Sequence, residues 1–561
     1  MRWLVIVAAA VLALSLLVLG IDLGHPLFND LPLLSPVPLV AGMATLGYFS
    51  RHREKMIAFA AACFFLAAAA WMWSSRDPVG RFPARMVAVG VDGATWDVID
   101  RMELPAFERI RSEGAHGTLR SMEPMFSPLL WTTIASGRKP EAHGIRGFHV
   151  QSYDCQVARW WDVAEAQGRA VGLYKPLVDY PPRSFATGGF WVPSWLAPAP
   201  DTWPESLRPV KEVELGNRLR RKQVGEGGVG PRTLLGLVQA GVRLSTLLRG
   251  ARWVVEDSIS EPGPARRNVE MQLIRGYIDR DVFVAQVYAT GAEVASLNLY
   301  ATDGLAHLYW DRYEQGGPEL RAAYTQADTV LGELLHRANG EMRLLVVSDH
   351  GFKAMDGSGE AGQFLPLTER VQSRLGAEGI GKVDVTRVGH KLTVGTAKAS
   401  EAERARAIVL GWLDREGEPF FRVEPYPGDP GSLALTLARE AVTADRLAND
   451  TVGGEPIADY VKLSQAYSGT HDERGIILAW GQGVDAGTVI EGATLLDVAP
   501  TLLAGADLPA AEDMSGRSLL WPELPRVSTW DGLVPSLRYL GGEAGSNEEM
   551  LEALGYTEGR K

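Results

Sequence analysis

Four short apolar runs, each next to a carboxylate or an imidazole, constrain the fold of this chain most. The runs are 86–91 before Asp92, 295–299 before Asp303, 343–347 before Asp349 and His350, and 476–480 after His471. Apolar runs of this length are typical of buried strands. Amphipathic helical patterns, such as residues 318–338, lie between them. We therefore predict an α/β fold with a mostly parallel sheet flanked by helices.

These polar side chains are predicted to meet at one edge of the sheet. Parallel sheets bind their ligands beyond the carboxyl ends of the strands. Asp303 and His307 would share one face of a helix, because three residues separate them. Ser127 precedes a helical stretch at 129–135 and is predicted to lie near the same edge of the sheet. Read alone, Ser127 with the proline that follows it is equally typical of an ordinary helix N-cap.

Composition limits the chemistry that such a group can perform. Lys and Arg total 56 against 68 Asp and Glu, and the net charge of −12 argues against a nucleic acid polymer as the main partner. The two cysteines cannot build a disulfide framework or a Cys-rich zinc site. Any metal must therefore be held by carboxylates and imidazoles, which are zinc ligands. Two zinc ions about 4 Å apart suit phosphoryl transfer.

Several ordered motifs over residues 85–510 resemble those of the alkaline phosphatase superfamily, in particular its type I phosphodiesterase/nucleotide pyrophosphatase branch. The motifs are Val91-Asp92-Gly93, Ser127-Pro128-Leu129-Leu130-Trp131-Thr132, Gly137-x-x-Pro140-x-x-His143-Gly144-Ile145, Asp303-x-x-x-His307, Asp349-His350-Gly351 and Gly469-Thr470-His471. The resemblance implies an alkaline phosphatase-like fold and a metal-dependent phosphoesterase activity.

The same resemblance implies a role for each matching residue. Two divalent metal ions are expected, most simply zinc, with manganese as a substitute in a site of oxygen and nitrogen ligands. Ser127 is implied to be the nucleophile and also a metal ligand. One ion would be bound by Asp303, His307 and His471. The other would be bound by Asp92, Asp349, His350 and the hydroxyl of Ser127.

Two departures from the family pattern leave the substrate open. Nucleotide pyrophosphatases carry an asparagine three residues after the His-Gly-Ile motif, where it contacts a phosphoryl oxygen, and this chain has Phe148 there. His149 or Lys175 is proposed as a substitute substrate-binding donor. The sulfatase signature, Cys or Ser followed by x-Pro-x-Arg, is absent after Ser127, which argues against sulfate esters.

The first 85 residues are predicted to form a membrane anchor. Three uncharged segments, 3–21, 31–50 and 56–75, have 19 or 20 residues each, close to the ~20 that a transmembrane helix needs. A signal peptide is the alternative for the first segment, although its apolar run is longer than usual. The basic loop at 51–55 is expected in the cytoplasm. Residues from 76 onward would then lie on the outer, periplasmic side of the cell (inner) membrane, although three arginines at 76–85 oppose this orientation.

Residues 86–525 are predicted to form the catalytic domain and residues 526–561 a C-terminal tail. Segments at about 150–292 and 353–465 interrupt the strand–helix alternation and are predicted to be cap insertions. Within the first insertion, residues 208–252 contain ten Arg or Lys and three Glu, a balance of +7. We interpret this segment either as a solvated cap helix or as a helix that lies on anionic lipid.

The leading functional prediction is a membrane-anchored, metal-dependent hydrolase of phosphodiester, nucleotide or pyrophosphate bonds. Its predicted partners are a phosphate-ester substrate and the lipid bilayer. The alternatives are a transferase that moves a phospho-headgroup to a lipid or glycan, and a phosphomonoesterase. A catalytically inactive zinc-binding scaffold and a cytoplasmic phosphoglycerate mutase-like role are two further hypotheses. An intact ligand set argues against the scaffold, and an outward-facing domain argues against the mutase.

Overall fold

The computed structural model describes residues 80–148, 150–222, 231–260, 264–354, 363–388, 391–426, 430–438, 446, 449–464 and 468–540. The three predicted transmembrane segments and His149 lie outside the described residues. None of the helices within these ranges is both long and apolar enough to cross a membrane. Arg81–Val242 and the chain from Ser260 onward form the larger of two compact units, and Arg243–Ile259 belong to the smaller one.

The larger unit is built around one large sheet and several small ones. In chain order, the strands are β1 (Met86–Val91), β2 (Ala115–Arg120), β3 (Val171–Tyr174), β4 (Gly189–Val192), β5 (Val294–Leu299), β6 (Arg343–Val347), β7 (Gly351–Ala354), β8 (Gln363–Pro366), β9 (Val383–Val388), β10 (Lys391–Thr396), β11 (Phe421–Pro425), β12 (Ser432–Leu437), β13 (Thr451–Val452), β14 (Glu455–Pro456), β15 (Val461–Ser464), β16 (Gly469–Asp472), β17 (Arg474–Gly481) and β18 (Thr488–Ile490).

The large sheet has eight strands in the order β18-β2-β17-β6-β1-β5-β3-β4. All neighbouring pairs are parallel except those of β17, which runs antiparallel to β2 and to β6. Every residue of β1 and β5 is buried. Since successive side chains of a strand point to opposite faces, both faces of the sheet are covered at its centre. The predicted mostly parallel α/β sheet is confirmed.

Helices connect these strands. In chain order they are α1 (Trp96–Ile99), α2 (Pro105–Glu113), α3 (Ser127–Ser136), α4 (Pro140–His143), α5 (Trp160–Ala166), α6 (Arg208–Lys222), α7 (Pro231–Ala240), α8 (Leu244–Ser260), α9 (Pro264–Thr290), α10 (Ala301–Glu314), α11 (Pro318–Arg337), α12 (Thr368–Ala377), α13 (Ala399–Leu410) and α14 (Val498–Gly505). The two that matter most for the site are α3, whose ten residues are all buried, and α10, which follows β5.

The topology places the predicted site residues at one edge of the sheet. The parallel strands β1, β5 and β6 end there, so Asp92, Asp303 and Asp349 follow at that edge. Strand β17 runs in the opposite direction, so it begins where the others end, directly after β16. In the register of β16 with β7, His471 lies opposite Phe352. His471 is thereby placed next to the Asp349-His350 pair.

The two predicted insertions have different structures. The first is not a cap throughout, because its strands β3 and β4 complete one edge of the large sheet. The strands β3 and β4 have only four residues each. They are shorter than the apolar runs from which the strands of the sheet were predicted, so the sequence did not reveal them. The second insertion contains a separate antiparallel sheet of order β11-β12-β10-β9. That sheet has its own apolar core, which includes Trp412, Phe421 and Leu435.

The beginning of the predicted C-terminal tail packs on the catalytic unit. Val527 pairs with Ala511 in an isolated bridge. The Asp531 carboxylate accepts hydrogen bonds from the side chain of Arg138, at 3.0 Å, and from the backbone N–H of Ala158, at 3.1 Å. Residues 527–540 therefore belong structurally to the larger unit.

Candidate active site

Asp303 lies among three imidazoles. It shares a face of α10 with His307, as their spacing predicts, and its Oδ1 atom is 3.4 Å from Nε2 of His307. The same oxygen is 3.5 Å from Nε2 of His471 and 3.9 Å from Nε2 of His350. The four side chains come from three separate segments of the chain. In the sequence, the only link between these residues is their position near the ends of strands. The structure brings their side chains together.

A second group shares His350 with the first. The Nε2 atom of His350 is 3.5 Å from Oδ1 of Asp92 and 3.6 Å from Oδ2 of Asp349. Ligand atoms of these three residues lie within 4.8 Å of one another, and so do those of Asp303, His350 and His471. All six predicted carboxylate and imidazole ligands therefore converge. Because His350 is close to both groups, the predicted division of the ligands between two ions stays a prediction.

Backbone carbonyls orient the three imidazoles. Nδ1 lies 3.2 Å from the carbonyl oxygen of Gly469 in His307, 3.0 Å from that of Gly351 in His350, and 3.0 Å from that of Met125 in His471. A carbonyl oxygen can only accept a hydrogen bond, so each Nδ1 carries a proton, and in a neutral ring this leaves the lone pair on Nε2. This arrangement is typical of metal-binding histidines.

Several ligand atoms have no partner within the described part of the chain. Oδ1 of Asp92, Oδ1 of Asp303, both carboxylate oxygens of Asp349 and Nε2 of His350 are buried without a hydrogen bond. Buried polar atoms without a partner are rare, because losing water without replacement costs about 1–3 kcal/mol each and more for charged groups. Divalent cations would satisfy all of them at once. The donor set therefore fits metal ions.

The ionisation of these groups also suits a bound cation. Burial and the neighbouring Asp303 raise the pKa of Asp349 to about 7, and burial with the charges of Asp349 and Asp303 raises that of Asp92. Three carboxylates in one buried place repel each other, and metal ions would remove this repulsion. Burial lowers the pKa of His350 and of His471 to about 4, so both imidazoles are neutral at pH 7, which is the form that binds metals.

Ser127 is the first residue of α3 and is buried. The helix N-cap is Phe126, and no side chain makes a capping hydrogen bond, so the alternative role of Ser127 as an ordinary N-cap does not apply. Two neighbours connect this helix end to the ligands. The carbonyl of Met125 holds His471, and the indole N–H of Trp131 donates to Oδ2 of Asp92 at 2.9 Å. Ser127 therefore begins the helix that borders the site.

Lys175 is engaged elsewhere in the same unit. Its ammonium is buried and lies 2.8 Å from Oδ2 of Asp279 and 3.0 Å from Oε1 of Glu214. The positive charge of Lys175, which a phosphoryl group would need, is therefore paired with two carboxylates. The carbonyl of Lys175 accepts a hydrogen bond from the hydroxyl of Tyr300. Its predicted role as a substrate contact stays a prediction, as does that of His149.

Asp179, near this buried ion cluster, gives a prediction about pH. Its carboxylate accepts hydrogen bonds from the N–H and the hydroxyl of Ser194, and burial raises its pKa to about 7. Ionising Asp179 costs more free energy in the folded state than in the unfolded state. Its ionisation therefore lowers the free energy of unfolding as the pH rises from about 4 to about 7, and above that the loss levels off. We expect Asp179→Asn to reduce the loss of unfolding free energy between pH 5 and pH 8 by about 2–3 kcal/mol.

Urea unfolding of the zinc-loaded protein at these two pH values measures this difference. Comparing the variant with wild type cancels the contribution of every other titrating group. Equal pH dependence in the two proteins would show that Asp179 ionises normally.

Sequence reasoning gave no role to Trp131. The residue stands in a motif that supports the family resemblance, but its contact with Asp92 joins two segments 39 residues apart. A usable signal was its position four residues after Ser127, since residues at this spacing share a helix face. A tryptophan on the same helix face as the predicted nucleophile is expected to point toward the site.

Comparisons with known proteins show what this chain is similar to. The family model described as type I phosphodiesterase / nucleotide pyrophosphatase matches residues 86–429. No curated protein matches the sequence. Among solved structures, murine ectonucleotide pyrophosphatase/phosphodiesterase 5, as an inactive variant in complex with AMP, is 14% identical over 80% of this chain and 99% of its own, with a TM-score of 0.43. Another structure of that murine protein is 13% identical over the same shares, with a TM-score of 0.44.

The match to the family model covers more than half of the chain. It includes Asp92, Ser127 and the helix with Asp303, and the converging carboxylates and imidazoles supply a place for metal ions. The chain therefore belongs to the type I phosphodiesterase/nucleotide pyrophosphatase family and is a hydrolase of the alkaline phosphatase superfamily.

Proposed function

We propose that this protein hydrolyses phosphodiesters at a two-zinc site, with Ser127 as the nucleophile. The observation that carries the proposal is the set of buried, unpartnered ligand atoms beside the first turn of α3. Asp303, His307 and His471 would hold one ion, and Asp92, Asp349, His350 and Ser127 the other. Bound there, divalent cations lower the pKa of a coordinated hydroxyl and neutralise negative charge on the phosphoryl oxygens.

In this proposal the residues of the chain act in two steps. The Ser127 oxygen attacks phosphorus, the bond from phosphorus to one alcohol breaks, and that alcohol leaves. The other ester group stays on a covalent phosphoryl-serine intermediate. Water then attacks phosphorus, Ser127 is released, and a phosphomonoester is the product. The first backbone N–H groups of α3 add a partial positive charge on the side of the phosphoryl oxygens.

Aromatic residues near Ser127 bear on the substrate. Phe148 replaces the asparagine of nucleotide pyrophosphatases and packs between Phe126 and Trp195, with ring centroids 6.4 Å from each. Trp195 in turn contacts Tyr300, at 6.2 Å. Phe148 is buried among these rings, so the position that carries a hydrogen-bond donor in nucleotide pyrophosphatases has none here. Nucleotides remain a candidate class because of the family.

A comparison of two chromogenic esters tests the proposal. The full chain, solubilised in detergent and loaded with zinc, is assayed with bis(p-nitrophenyl) phosphate and with p-nitrophenyl phosphate. The proposal expects a kcat/KM ratio well above one for diester over monoester. A ratio well below one would instead make the protein a phosphomonoesterase.

Transfer to an alcohol is the second candidate function. It is favoured by the basic character of residues 208–252 and by the predicted anchor, because both would keep the protein near lipid headgroups. Ser127 would then pass its phosphoryl group to a lipid or glycan hydroxyl instead of to water. Product analysis separates the two reactions, since only a transferase forms a new ester when an acceptor alcohol is added.

The proposed location is the outer face of the cell membrane, with residues 1–85 as a multi-pass anchor. Support comes from the three apolar segments and the basic loop between the second and third. Alkaline phosphatase and green fluorescent protein reporters fused after residue 85 test it. We expect the alkaline phosphatase reporter to be active and the green fluorescent protein reporter to give no fluorescence. The reverse pattern would place the domain in the cytoplasm and revive the mutase-like alternative.

A further inference from the structure

We propose that Trp131 is a positioning residue of the metal site: its indole holds one oxygen of Asp92 so that the other faces the bound ion. The inference rests on the proposed metal-dependent function. It assigns a role to a side chain that is neither a ligand nor a nucleophile.

The two oxygens of Asp92 have different environments. Oδ2 accepts a hydrogen bond from Nε1 of Trp131 at 2.9 Å. Oδ1 makes no hydrogen bond to any of the described residues and lies 3.5 Å from Nε2 of His350. An indole N–H can only donate, so it occupies a carboxylate oxygen that would otherwise be free to rotate toward the ion. Asp92 is thereby set to bind through Oδ1 alone.

Packing fixes the indole in this place. A Cβ atom at Gly90 would lie 2.4 Å from Cη2 of Trp131 and 2.8 Å from Cγ of Asn298, so only glycine leaves room for the ring above β1. The backbone of Asp92 is held as well, because its carbonyl accepts a hydrogen bond from the hydroxyl of Thr302 at 2.5 Å. Thr302 directly precedes the ligand Asp303. Trp131 therefore cannot rotate without moving β1 or its neighbours.

The same indole connects Asp92 with the nucleophile. Trp131 lies four residues after Ser127 on α3, so both side chains are on one face of this helix. A hydrogen bond between α3 and the end of β1 sets the distance between Ser127 and the ion that Asp92 would bind. Residues that orient metal ligands typically contribute about 10–100-fold in metal affinity.

Zinc affinity measured without substrate tests the inference. Metal-free full chain in detergent is titrated with zinc against a chelating dye. We expect Trp131→Phe to weaken one of the two zinc ions by about 10–100-fold and to leave the other unchanged. Trp521→Phe is the matched control, because Trp521 is equally buried and its Nε1 donates to the carbonyl of Gln482 at 2.9 Å, away from the ligands. It should bind both ions as wild type does.

A double-mutant cycle separates positioning from general stability. If Trp131 acts through Asp92, the Trp131→Phe change should weaken zinc in the wild-type background but not in the Asp92→Asn background. Equal weakening in both backgrounds, or wild-type affinity in Trp131→Phe, would overturn the inference. If the phenylalanine variant fails to fold, 3-benzothienylalanine at position 131 keeps the ring shape and removes only the N–H, with the same expected weakening.

The assay also distinguishes this inference from the proposed function. The wild-type chain could bind two zinc ions, show weaker binding of one of them after Trp131→Phe, and yet hydrolyse no phosphodiester. That result would contradict the proposed reaction but support the positioning role. A wild-type chain that binds no zinc contradicts both.

Discussion

Ser127→Ala is expected to lower kcat for a phosphodiester by about 10³–10⁶-fold, which is the range for the loss of a nucleophile. The serine is buried at the first turn of α3, where its hydroxyl makes no capping hydrogen bond and the neighbouring residues contact His471 and Asp92. Alanine removes the oxygen that would attack phosphorus and bind the metal ion. The measurement is steady-state hydrolysis of bis(p-nitrophenyl) phosphate by the zinc-loaded full chain.

Ser136→Ala is the matched control for this experiment. Ser136 is the last residue of the same helix, is fully buried, and its hydroxyl donates to the carbonyl of Thr132 at 2.7 Å. Its loss should reduce stability slightly and leave the turnover of folded protein unchanged. Acid quenching during turnover should also trap a phosphoryl group on wild-type Ser127. More than a tenth of wild-type kcat in Ser127→Ala would mean that another group is the nucleophile.

Much of the site could be predicted from the sequence because its chemistry lies at strand ends. A central parallel strand is buried on both faces and reads as an apolar run, so its end is visible in the sequence. Asp92 directly follows the end of β1, and Asp349 follows the end of β6 after one residue. His471 was harder to place, because its strand runs antiparallel to its neighbours. It reaches the site because β16 pairs with β7, directly after His350.

The parts that could not be predicted depend on contacts between distant segments. The partners of Lys175 are Asp279 and Glu214, which lie on two different helices. Nothing near Lys175 in the sequence indicates that its charge is already paired. The strands β3 and β4 were likewise missed, since a buried run of only four residues cannot be told from a piece of a buried helix. Tertiary packing, and not local propensity, decides both features.

Asp303→Asn is expected to remove one bound metal ion and most of the activity. Oδ1 of Asp303 lies within 3.9 Å of three imidazole nitrogens, so it is the carboxylate most central to the cluster. An amide keeps the size of the side chain but loses the charge that a divalent ion requires. Metal analysis after dialysis should fall from two zinc ions per chain to one, and kcat should fall by about 10³-fold or more.

The same substitution should also change the stability of the protein, by an amount that depends on bound zinc. Burial opposes the charge of Asp303, but His307 and His471 favour it and hold the pKa of this carboxyl below its usual range. The ionised carboxylate therefore stabilises the fold at pH 7, so Asp303→Asn should unfold at a lower temperature than wild type in the presence of a chelator. With zinc the difference should be larger, because wild type gains the binding free energy of an additional ion. Asp311→Asn, on the same helix but outside the cluster, should show neither change. If Asp303→Asn keeps two zinc ions and loses the same stability with and without zinc, Asp303 is a structural carboxylate and not a metal ligand.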